Sequence, residues 1–487
     1  MDRENKGLYW QLREYVSTDA YPLHMPGHKR REDMFPMREF TNPYAVDITE
    51  IEGFDNLHHA TGILRDCMEH AALVYGTRRS YFLVNGSSAG ILAAVSASVP
   101  PNASICMARN CHKAAYHSVF LRNLDVEYSY PQICEDLGIQ GGISPETVDN
   151  SLQKMLEEGR KPKAVLVVSP TYDGMVSDIA EIARVVHRYG SLLLVDEAHG
   201  AHFPFSDRFP RSAISQGADI VIQSVHKTLP CMTQTALLHV CSERVDLERL
   251  EFFLQIYQSS SPSYVLLSSI DEGIRYMERF GRRSLEELNQ KLEKFYSSVR
   301  DLKHLQVIGA EWKGKCAIIE RDLSKILIFT GKSGRTGSWL ADRLRRDYQL
   351  EVEMEQEQYV LAFMTLMDTE EGFSRLERAL KALDAELDDT EDVFGERGQC
   401  SYENNPICLR VQEAVYANKK RVTWAEAEDG ICAEFVYVYP PGIPILVPGE
   451  RILPVVAAQI ARMKERGLRL EGMSDKSGES IEIVCEE

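Results

Sequence analysis

Short, continuous apolar segments along the middle of the chain constrain its fold more than any other feature. The clearest of them are residues 164–168, 191–195, 218–222 and 236–240. Segments that are apolar at almost every position, without alternation, are typical of strands buried on both faces of a sheet. Between the first two, residues 178–189 carry apolar side chains at helical spacing. Strands that alternate with helices predict an α/β fold with a mainly parallel, doubly wound sheet.

The length of 487 residues and changes in composition along the chain predict several domains. Prolines interrupt the N-terminal part, and the regular alternation begins after it. A smaller α/β unit follows the large one, and an acidic, polar stretch separates it from a C-terminal α+β unit. The predicted divisions are an N-terminal segment 1–60, a large domain 61–285, a small domain 286–385 and a C-terminal domain 400–487.

Charge and apolar content limit the classes of partner. The chain has 55 Lys and Arg against 73 Asp and Glu, a formal net charge of −18, so it lacks the basic footprint that nucleic acid binding requires. The negative field mildly favours a small cationic ligand, although solubility alone also explains it. No apolar segment is long enough to cross a bilayer and the N-terminus has no apolar signal region, so we expect a cytoplasmic location. The 11 cysteines include no C-x-x-C pair, so we expect reduced thiols and no metal site.

Two polar side chains lie just beyond the ends of predicted strands. Asp196 comes after residues 191–195, and Lys227 comes shortly after residues 218–222. Because ligands of open α/β sheets bind beyond the carboxyl ends of the strands, the two side chains can share one site. A lysine can hold an aldehyde cofactor as a Schiff base, and a buried carboxylate needs a positive partner such as a protonated ring nitrogen. Each residue alone has an ordinary alternative, a surface lysine or a strand-ending aspartate.

A glycine- and serine-rich turn precedes a predicted helix. The sequence Asn85-Gly86-Ser87-Ser88-Ala89-Gly90 follows a short predicted strand at residues 81–84. Backbone N–H groups at the start of a helix, together with the hydroxyls of Ser87 and Ser88, are suited to bind a phosphate. A serine helix cap is the alternative, and the turn is neither a dinucleotide fingerprint nor a Walker A sequence. In a further loop, His112 either stacks on a flat ring or lies on the surface.

These motifs together resemble those of the ornithine/lysine/arginine decarboxylases, which are fold type I, aspartate-aminotransferase-like enzymes dependent on pyridoxal 5'-phosphate (PLP). The matching motifs, in family order, are His24-Met25-Pro26-Gly27-His28-Lys29, Asn85 to Gly90, Asp196 to His202, Ser224-Val225-His226-Lys227-Thr228, and Tyr439-Pro440-Pro441-Gly442-Ile443-Pro444 continuing to Glu450. The last motif is the most specific, because it separates this family from other PLP enzymes. The chain is similar to the short bacterial branch that has no N-terminal wing domain.

The resemblance implies a role for each motif residue. Lys227 would form the Schiff base, Asp196 would pair with the pyridine nitrogen, and His112 would stack on the ring. The phosphate would be bound by Ser87, Ser88, Ser224 and His226, and His199 would lie near the ring. Ser260 and Ser261 would reach the site of a partner subunit, so the resemblance implies a homodimer or higher homo-oligomer with shared sites. Glu434 or Glu450 would contact the distal cation of the substrate.

The implied reaction is decarboxylation of lysine, arginine or ornithine to an amine and CO2. Transamination or β-elimination would use the same lysine and aspartate, and this is the alternative within the fold. A non-enzymatic regulator would need a DNA-binding module, for which the sequence shows no basic stripe. The sequence leaves open which of the three amino acids is the substrate.

Overall fold

A computed structural model describes residues 8–31, 42–330, 333–388, 404–438, 442–465 and 470–485. Its α-helices are α1 (Leu8–Val16), α2 (Ile63–Tyr75), α3 (Gly86–Ser98), α4 (Lys113–Arg122), α5 (Pro145–Glu157), α6 (Ile179–Arg188), α7 (Val225–Thr228), α8 (Leu247–Tyr257), α9 (Tyr264–Tyr276), α10 (Arg282–Ser298), α11 (Gly337–Tyr348), α12 (Glu370–Ala385), α13 (Val411–Tyr416) and α14 (Pro454–Glu465). A π-helical segment, Met277–Gly281, joins α9 to α10. Short 3-10 helices lie at Pro43–Ala45, Leu57–His59, Phe203–Phe205, Ala213–Ser215 and Ala310–Trp312.

The strands are short and distributed along the whole described chain. They are β1 (Tyr21–Leu23), β2 (Arg79–Leu83), β3 (Ser104–Ala108), β4 (Asp125–Ser129), β5 (Ile133–Cys134), β6 (Ile139–Gln140), β7 (Pro162–Val168), β8 (Met175–Val176), β9 (Leu192–Asp196), β10 (Ile220–Gln223), β11 (Ala236–Val240), β12 (Gln306–Ile308), β13 (Glu320–Arg321), β14 (Lys325–Phe329), β15 (Leu350–Val352), β16 (Met354–Glu355), β17 (Tyr359–Phe363), β18 (Lys419–Thr423), β19 (Val436–Val438), β20 (Ile443–Leu446), β21 (Leu470–Glu471) and β22 (Ser480–Val484).

A seven-stranded sheet forms the centre of the molecule, in the order β2-β11-β10-β9-β7-β3-β4. Neighbouring strands run parallel except at β11, which is antiparallel to both β2 and β10. Successive residues of a strand point to opposite faces, and here both faces are buried: Leu83 and Leu238 lie in one apolar core, and Phe82 and Leu237 lie in another. The mainly parallel α/β fold predicted from the apolar segments is confirmed.

A smaller antiparallel sheet, β12-β14-β17-β16, forms a second unit together with α10, α11 and α12. The N-terminal strand β1 pairs in parallel with β15, which anchors residues 21–23 to this unit. The segment that follows β1 then runs to the large sheet. Residues 21–27 therefore contact both units.

The C-terminal residues form a third unit with its own core. Strand β18 pairs with β22, and β19 lies between β20 and β21. Val411 and Val447 belong instead to the core of the large sheet, so this unit packs directly against it. Three residues of the predicted C-terminal motif, Tyr439 to Pro441, and most of the predicted acidic stretch lie outside the described residues. Among the described helices, none has the length and apolar character needed to cross a membrane.

Candidate active site

A cavity of about 370 Å³ lies at the carboxyl ends of β7, β9 and β10. All eight side chains predicted to hold the cofactor line it: Ser87, Ser88, His112, Asp196, His199, Ser224, His226 and Lys227. The N-terminal segment adds Met25 and Pro26, and the C-terminal unit adds Ile443. Motifs that are hundreds of residues apart in sequence therefore converge on one site.

Asp196 is the last residue of β9, and its carboxylate is buried beside the cavity. The backbone N–H of Ala198 donates to Asp196 Oδ1 at 3.1 Å. Burial raises the pKa of Asp196, and the nearby charge of Lys227 lowers it. A cationic group in the cavity would therefore hold this carboxylate ionised.

His199 lies between two lysine side chains. Its Nε2 is 3.0 Å from Lys227 Nζ, and its Nδ1 is 2.8 Å from Lys325 Nζ. Burial, followed by the charges of both lysines, lowers the pKa of His199 well below its ordinary value, so its ring is neutral. Burial also lowers the pKa of Lys227, and that of Lys325 to about 7.

The start of α3 presents backbone N–H groups without a side-chain cap. Its N-cap residue, Asn85, makes no capping hydrogen bond, and Gly86 adopts a φ of +72°, which favours glycine. Ser87 and Ser88 lie in this first turn and line the cavity. Ser224 Oγ is buried and has no hydrogen-bond partner among the described residues. Uncapped amides, a helix dipole and free hydroxyls are the donors that bind a phosphate.

His226 lies in α7, next to Lys227. Its Nδ1 is 2.7 Å from the carbonyl oxygen of Thr235, a contact that only a protonated Nδ1 can make as a donor. Burial is the main reason that the pKa of His226 falls to about 4. A dianion beside Nε2 would raise this pKa and turn Nε2 into a second donor.

His112 caps the helix α4 and lines the cavity at the same time. Its Nδ1 accepts a hydrogen bond of 3.2 Å from the N–H of Ala114. Burial lowers the pKa of His112 to about 3, so the ring is uncharged. The next residue, Lys113, donates its N–H to the carbonyl of Gly442 at 3.2 Å, which ties the His112 loop to the C-terminal motif.

Gly27, in the first predicted motif, packs against the backbone that carries Lys227. Its N–H donates to the carbonyl of His226 at 2.8 Å. A Cβ atom at this position would come within 2.7 Å of Leu229 O and 2.9 Å of Lys227 O. The motif therefore requires glycine here, because no side chain fits between the two segments.

Sequence reasoning missed several polar groups in or beside the cavity, among them Tyr172, Lys325 and Glu353. The hydroxyl of Tyr172 donates to Glu353 Oε1, and Met25 N–H donates to Glu353 Oε2 at 2.7 Å. Lys325 is the first residue of β14, in a segment recognisable as an apolar strand. A lysine at a buried strand position needs a partner, and that signal could have identified it.

Four residues assigned to substrate binding do not line the cavity of this single chain. Ser260 and Ser261 are exposed, in the loop between α8 and α9. Glu434 accepts hydrogen bonds from the N–H groups of Ser474 and Glu482 at 2.7 and 2.9 Å. Glu450 pairs with Arg109 at 3.2 Å, and both side chains are 1% exposed. The predicted contacts of all four with substrate stay predictions.

The fold and the site define the class of protein. Solved structures with this fold include the lysine decarboxylase of Francisella novicida (TM-score 0.78, 19% identity, covering 98% of this chain and 80% of that one). They also include a ureidoglycine-glyoxylate aminotransferase of Bacillus subtilis (TM-score 0.59, 15% identity, covering 78% and 97%). The chain has the fold of the fold type I PLP enzymes.

Sequence comparison then gives the family. Residues 6–320 match the Orn/Lys/Arg decarboxylase major domain, and residues 408–465 match the C-terminal domain of the same family. The arginine decarboxylase of Bacillus anthracis is 32% identical over 483 residues, 98% of this chain and 97% of that protein. The chain belongs to the Orn/Lys/Arg decarboxylase family and is an amino acid decarboxylase.

Proposed function

We propose that this chain decarboxylates a basic amino acid, with arginine the first substrate to test, using PLP held by Lys227. The observation that carries the proposal is the convergence of Lys227, Asp196 and an anion-binding helix start on one cavity of about 370 Å³. Arginine comes first because the relatives that match along the full chain include several named arginine decarboxylases.

The residues present fit PLP. Its phosphate needs donors, which the uncapped start of α3, the partnerless Ser224 hydroxyl and His226 would supply. Its pyridine nitrogen needs an acid partner, which the buried Asp196 would supply. Its aldehyde needs an amine whose pKa is below that of an ordinary lysine, and burial lowers the pKa of Lys227.

PLP supplies an electron sink for the electron pair left on Cα when CO2 departs. Around it, Asp196 would keep the ring nitrogen protonated, and neutral His112 would pack on the ring without adding charge. Lys227 would hold the proton that returns to Cα. Ile443 and the Met25-Pro26 segment line the cavity, and with substrate bound they would help to exclude water, which would strengthen each charge interaction inside it.

The substrate's distal cation needs an acidic or polar partner. Glu353 lies near Lys227 and belongs to the small unit, and we add it to the predicted residues Glu434 and Glu450. Ser260 and Ser261 are exposed on one chain, so they can reach the site of another copy. The negative net charge of −18 would draw a cationic substrate towards the enzyme.

The proposed assembly is a homodimer with shared sites. Several large apolar side chains are exposed on the segment 44–63 and on α8: Tyr44, Ile51, Phe54, Ile63, Phe252 and Ile256. His58 Nε2 lies 2.9 Å from Ser259 O, which joins the segment to the serine loop. Exposed apolar patches of this kind mark interaction surfaces. A cytoplasmic location remains a prediction from the sequence.

A panel assay tests the proposed reaction. The purified enzyme with PLP is given arginine, lysine or ornithine, and CO2 and the amine product are both measured. We expect stoichiometric CO2 and amine from one of the three, with arginine fastest. Formation of a keto acid without CO2 would contradict the proposal and favour transamination.

A further inference from the structure

The hydrogen bonds of His199 restrict the charge of the two lysines that it contacts. A neutral imidazole has one N–H donor and one acceptor nitrogen, and an ammonium group has donors only. His199 contacts Lys227 Nζ through Nε2 and Lys325 Nζ through Nδ1, at 3.0 and 2.8 Å. If both lysines were ammonium groups, one contact would place two donors face to face. One of the two lysines must therefore be an uncharged amine.

Lys325 is the better placed of the two to be uncharged. It is 0% exposed, whereas Lys227 is partly exposed, and among the described residues neither Nζ has a carboxylate within ion-pairing distance. Lys227 instead lines an open cavity that it shares with the carboxylate of Asp196. In this arrangement Lys227 donates to His199 Nε2, and His199 Nδ1–H donates to the lone pair of Lys325.

We propose that Lys325 is a positioning residue that accepts, through His199, the proton that Lys227 must lose to attack the aldehyde of the cofactor. A proton leaves Lys227 Nζ for His199 Nε2, and the Nδ1 proton of His199 passes to Lys325 Nζ. The total charge of the three side chains is unchanged, and His199 exchanges one neutral tautomer for the other. The inference rests on the proposed function, because it presumes that Lys227 holds PLP.

The surroundings of Lys325 suit a group that can hold a proton near neutral pH. Its Nζ lies 3.5 Å from the centre of the Phe363 ring, which stabilises the charged form once the proton arrives. Burial lowers its pKa to about 7, against the opposing charges of Asp322 and Glu353. The charged and titratable groups that face it are Asp173, Tyr172, His199, Lys29, Lys227, Arg321, Asp322 and Glu353.

Capture of PLP by the full-length enzyme, freed of cofactor, tests the relay. The rate of capture is followed by absorbance as a function of pH for the wild type, Lys325→Met and Lys325→Gln. Methionine removes both the acceptor and the proton store, whereas the glutamine oxygen can still accept from His199 Nδ1 but cannot take up a proton. We expect the midpoint of the pH profile to rise by about one pH unit in both variants, and capture at pH 7 to slow roughly tenfold.

Lys291→Met is the matched control, since it removes a part-buried lysine of α10 whose Nζ donates to the carbonyl of Asp368 at 2.9 Å and, among the described residues, makes no contact with His199. Its midpoint should match the wild type. A wild-type profile in Lys325→Met would overturn the relay, and a wild-type profile in Lys325→Gln alone would reduce Lys325 to fixing the tautomer of His199. If the wild type itself captures no PLP, the proposed function fails instead.

Neutron diffraction from crystals of the deuterated, cofactor-free wild type provides a test that no folding defect can affect. We expect deuterium on His199 Nδ1, none on Nε2, and two deuterons on Lys325 Nζ. Three deuterons on Lys325 with a bare Nδ1 would overturn the proposal.

Discussion

At the scale of single residues, burial sets the charge of the site. His112, His226 and His199 all line the cavity, and burial is the largest cause of the lowered pKa of each. Neutral imidazoles can pack against an aromatic ring or pass a proton without repelling the lysine between them. Two carboxylates oppose these lysine charges: Asp196 lines the cavity, and Glu353 contacts the lining residues Tyr172 and Met25.

These histidines also predict how stability depends on pH. The pKa of His112 is about 3 in the folded state against 6.5 unfolded, so the unfolded chain takes up the proton first as the pH falls. The contribution of His112 to the free energy of unfolding is therefore fully present above pH 6.5 and is lost as the pH falls towards 3. His112→Asn keeps an acceptor for the N–H of Ala114 but cannot titrate. Between pH 7 and pH 5 its free energy of unfolding should therefore fall by about 2 kcal/mol less than that of the wild type.

Urea denaturation of the cofactor-free protein at pH 7 and pH 5 measures this difference. The matched control is His59→Asn, which removes an exposed imidazole and should leave the difference as in the wild type. If the free energy of unfolding falls equally between pH 7 and pH 5 in His112→Asn and in the wild type, His112 is not held neutral by burial.

At the scale of elements, the first motif packs against the helical turn that carries Lys227 and fixes its position. Gly27 fills the space against α7, and Thr365 Oγ1 donates to its carbonyl at 2.7 Å. Lys29 Nζ donates to the carbonyls of Pro22, His24 and Phe363 at 3.0, 2.9 and 2.6 Å. The small unit therefore holds the N-terminal segment, and this segment holds the lysine-bearing turn.

Gly27→Ala should displace the turn that carries Lys227. The new Cβ would meet the carbonyl oxygens of Leu229 and Lys227 at 2.7 and 2.9 Å, so the two segments must separate. We expect a loss of stability of about 1–3 kcal/mol, as for other overpacked sites, and PLP binding weakened at least about tenfold. Thermal unfolding and equilibrium titration with PLP measure the two effects.

Gly62→Ala is the control for this substitution. The nearest atom to its new Cβ would be Asp55 Oδ2 at 3.6 Å, an ordinary contact, but its φ of −127° and ψ of −124° disfavour alanine. This variant therefore controls for a loss of stability that does not involve the turn carrying Lys227. PLP affinity should not change in this variant. A PLP affinity of Gly27→Ala equal to that of the wild type would contradict the role of the first motif.

Most of the central sheet could be predicted from the sequence, because strands buried on both faces are continuously apolar. Strand β11 has the predicted bounds, Ala236–Val240. Edge strand β4 was not predicted, because it lacks a continuous apolar segment; the alternation of Asp125 and Glu127 with Val126 and Tyr128, typical of a half-buried strand, could have identified it. The strand ends could be located to within a few residues, which was enough to place Asp196 and Lys227 together.

The remaining part of the site could not be predicted, because it depends on packing between units. Lys325 and Glu353 come from the small unit. The buried strand position of Lys325 indicates that its amine needs a partner, but no local pattern shows that either residue lies beside a cavity at the large sheet. Glu450 was expected near the substrate on the strength of its motif. In the structure it is the partner of Arg109, so the motif also joins the C-terminal unit to the large domain.

At the scale of the whole molecule, the exposed apolar surface predicts a second copy. Ile256 is 53% exposed on α8, and if the proposed dimer forms through this surface, Ile256→Glu should dissociate it. Because the serine loop would then leave its partner's site, decarboxylation should fall at least about tenfold. Sedimentation velocity and the CO2 assay, run at the same protein concentration, measure the two effects.

Leu156→Glu is the matched control, since Leu156 is a 47% exposed residue of α5, outside the proposed interface. It should remain dimeric and active. A dimeric Ile256→Glu variant, or a fully active monomer, would contradict shared sites.

The identity of the lysine that carries PLP tests the central claim most directly. The enzyme is reduced with borohydride in the presence of PLP, digested, and its peptides are mapped by mass spectrometry. We predict one pyridoxyl group per chain, attached to Lys227, and no label in Lys227→Ala. A label on another lysine, or full labelling of Lys227→Ala, would contradict the account.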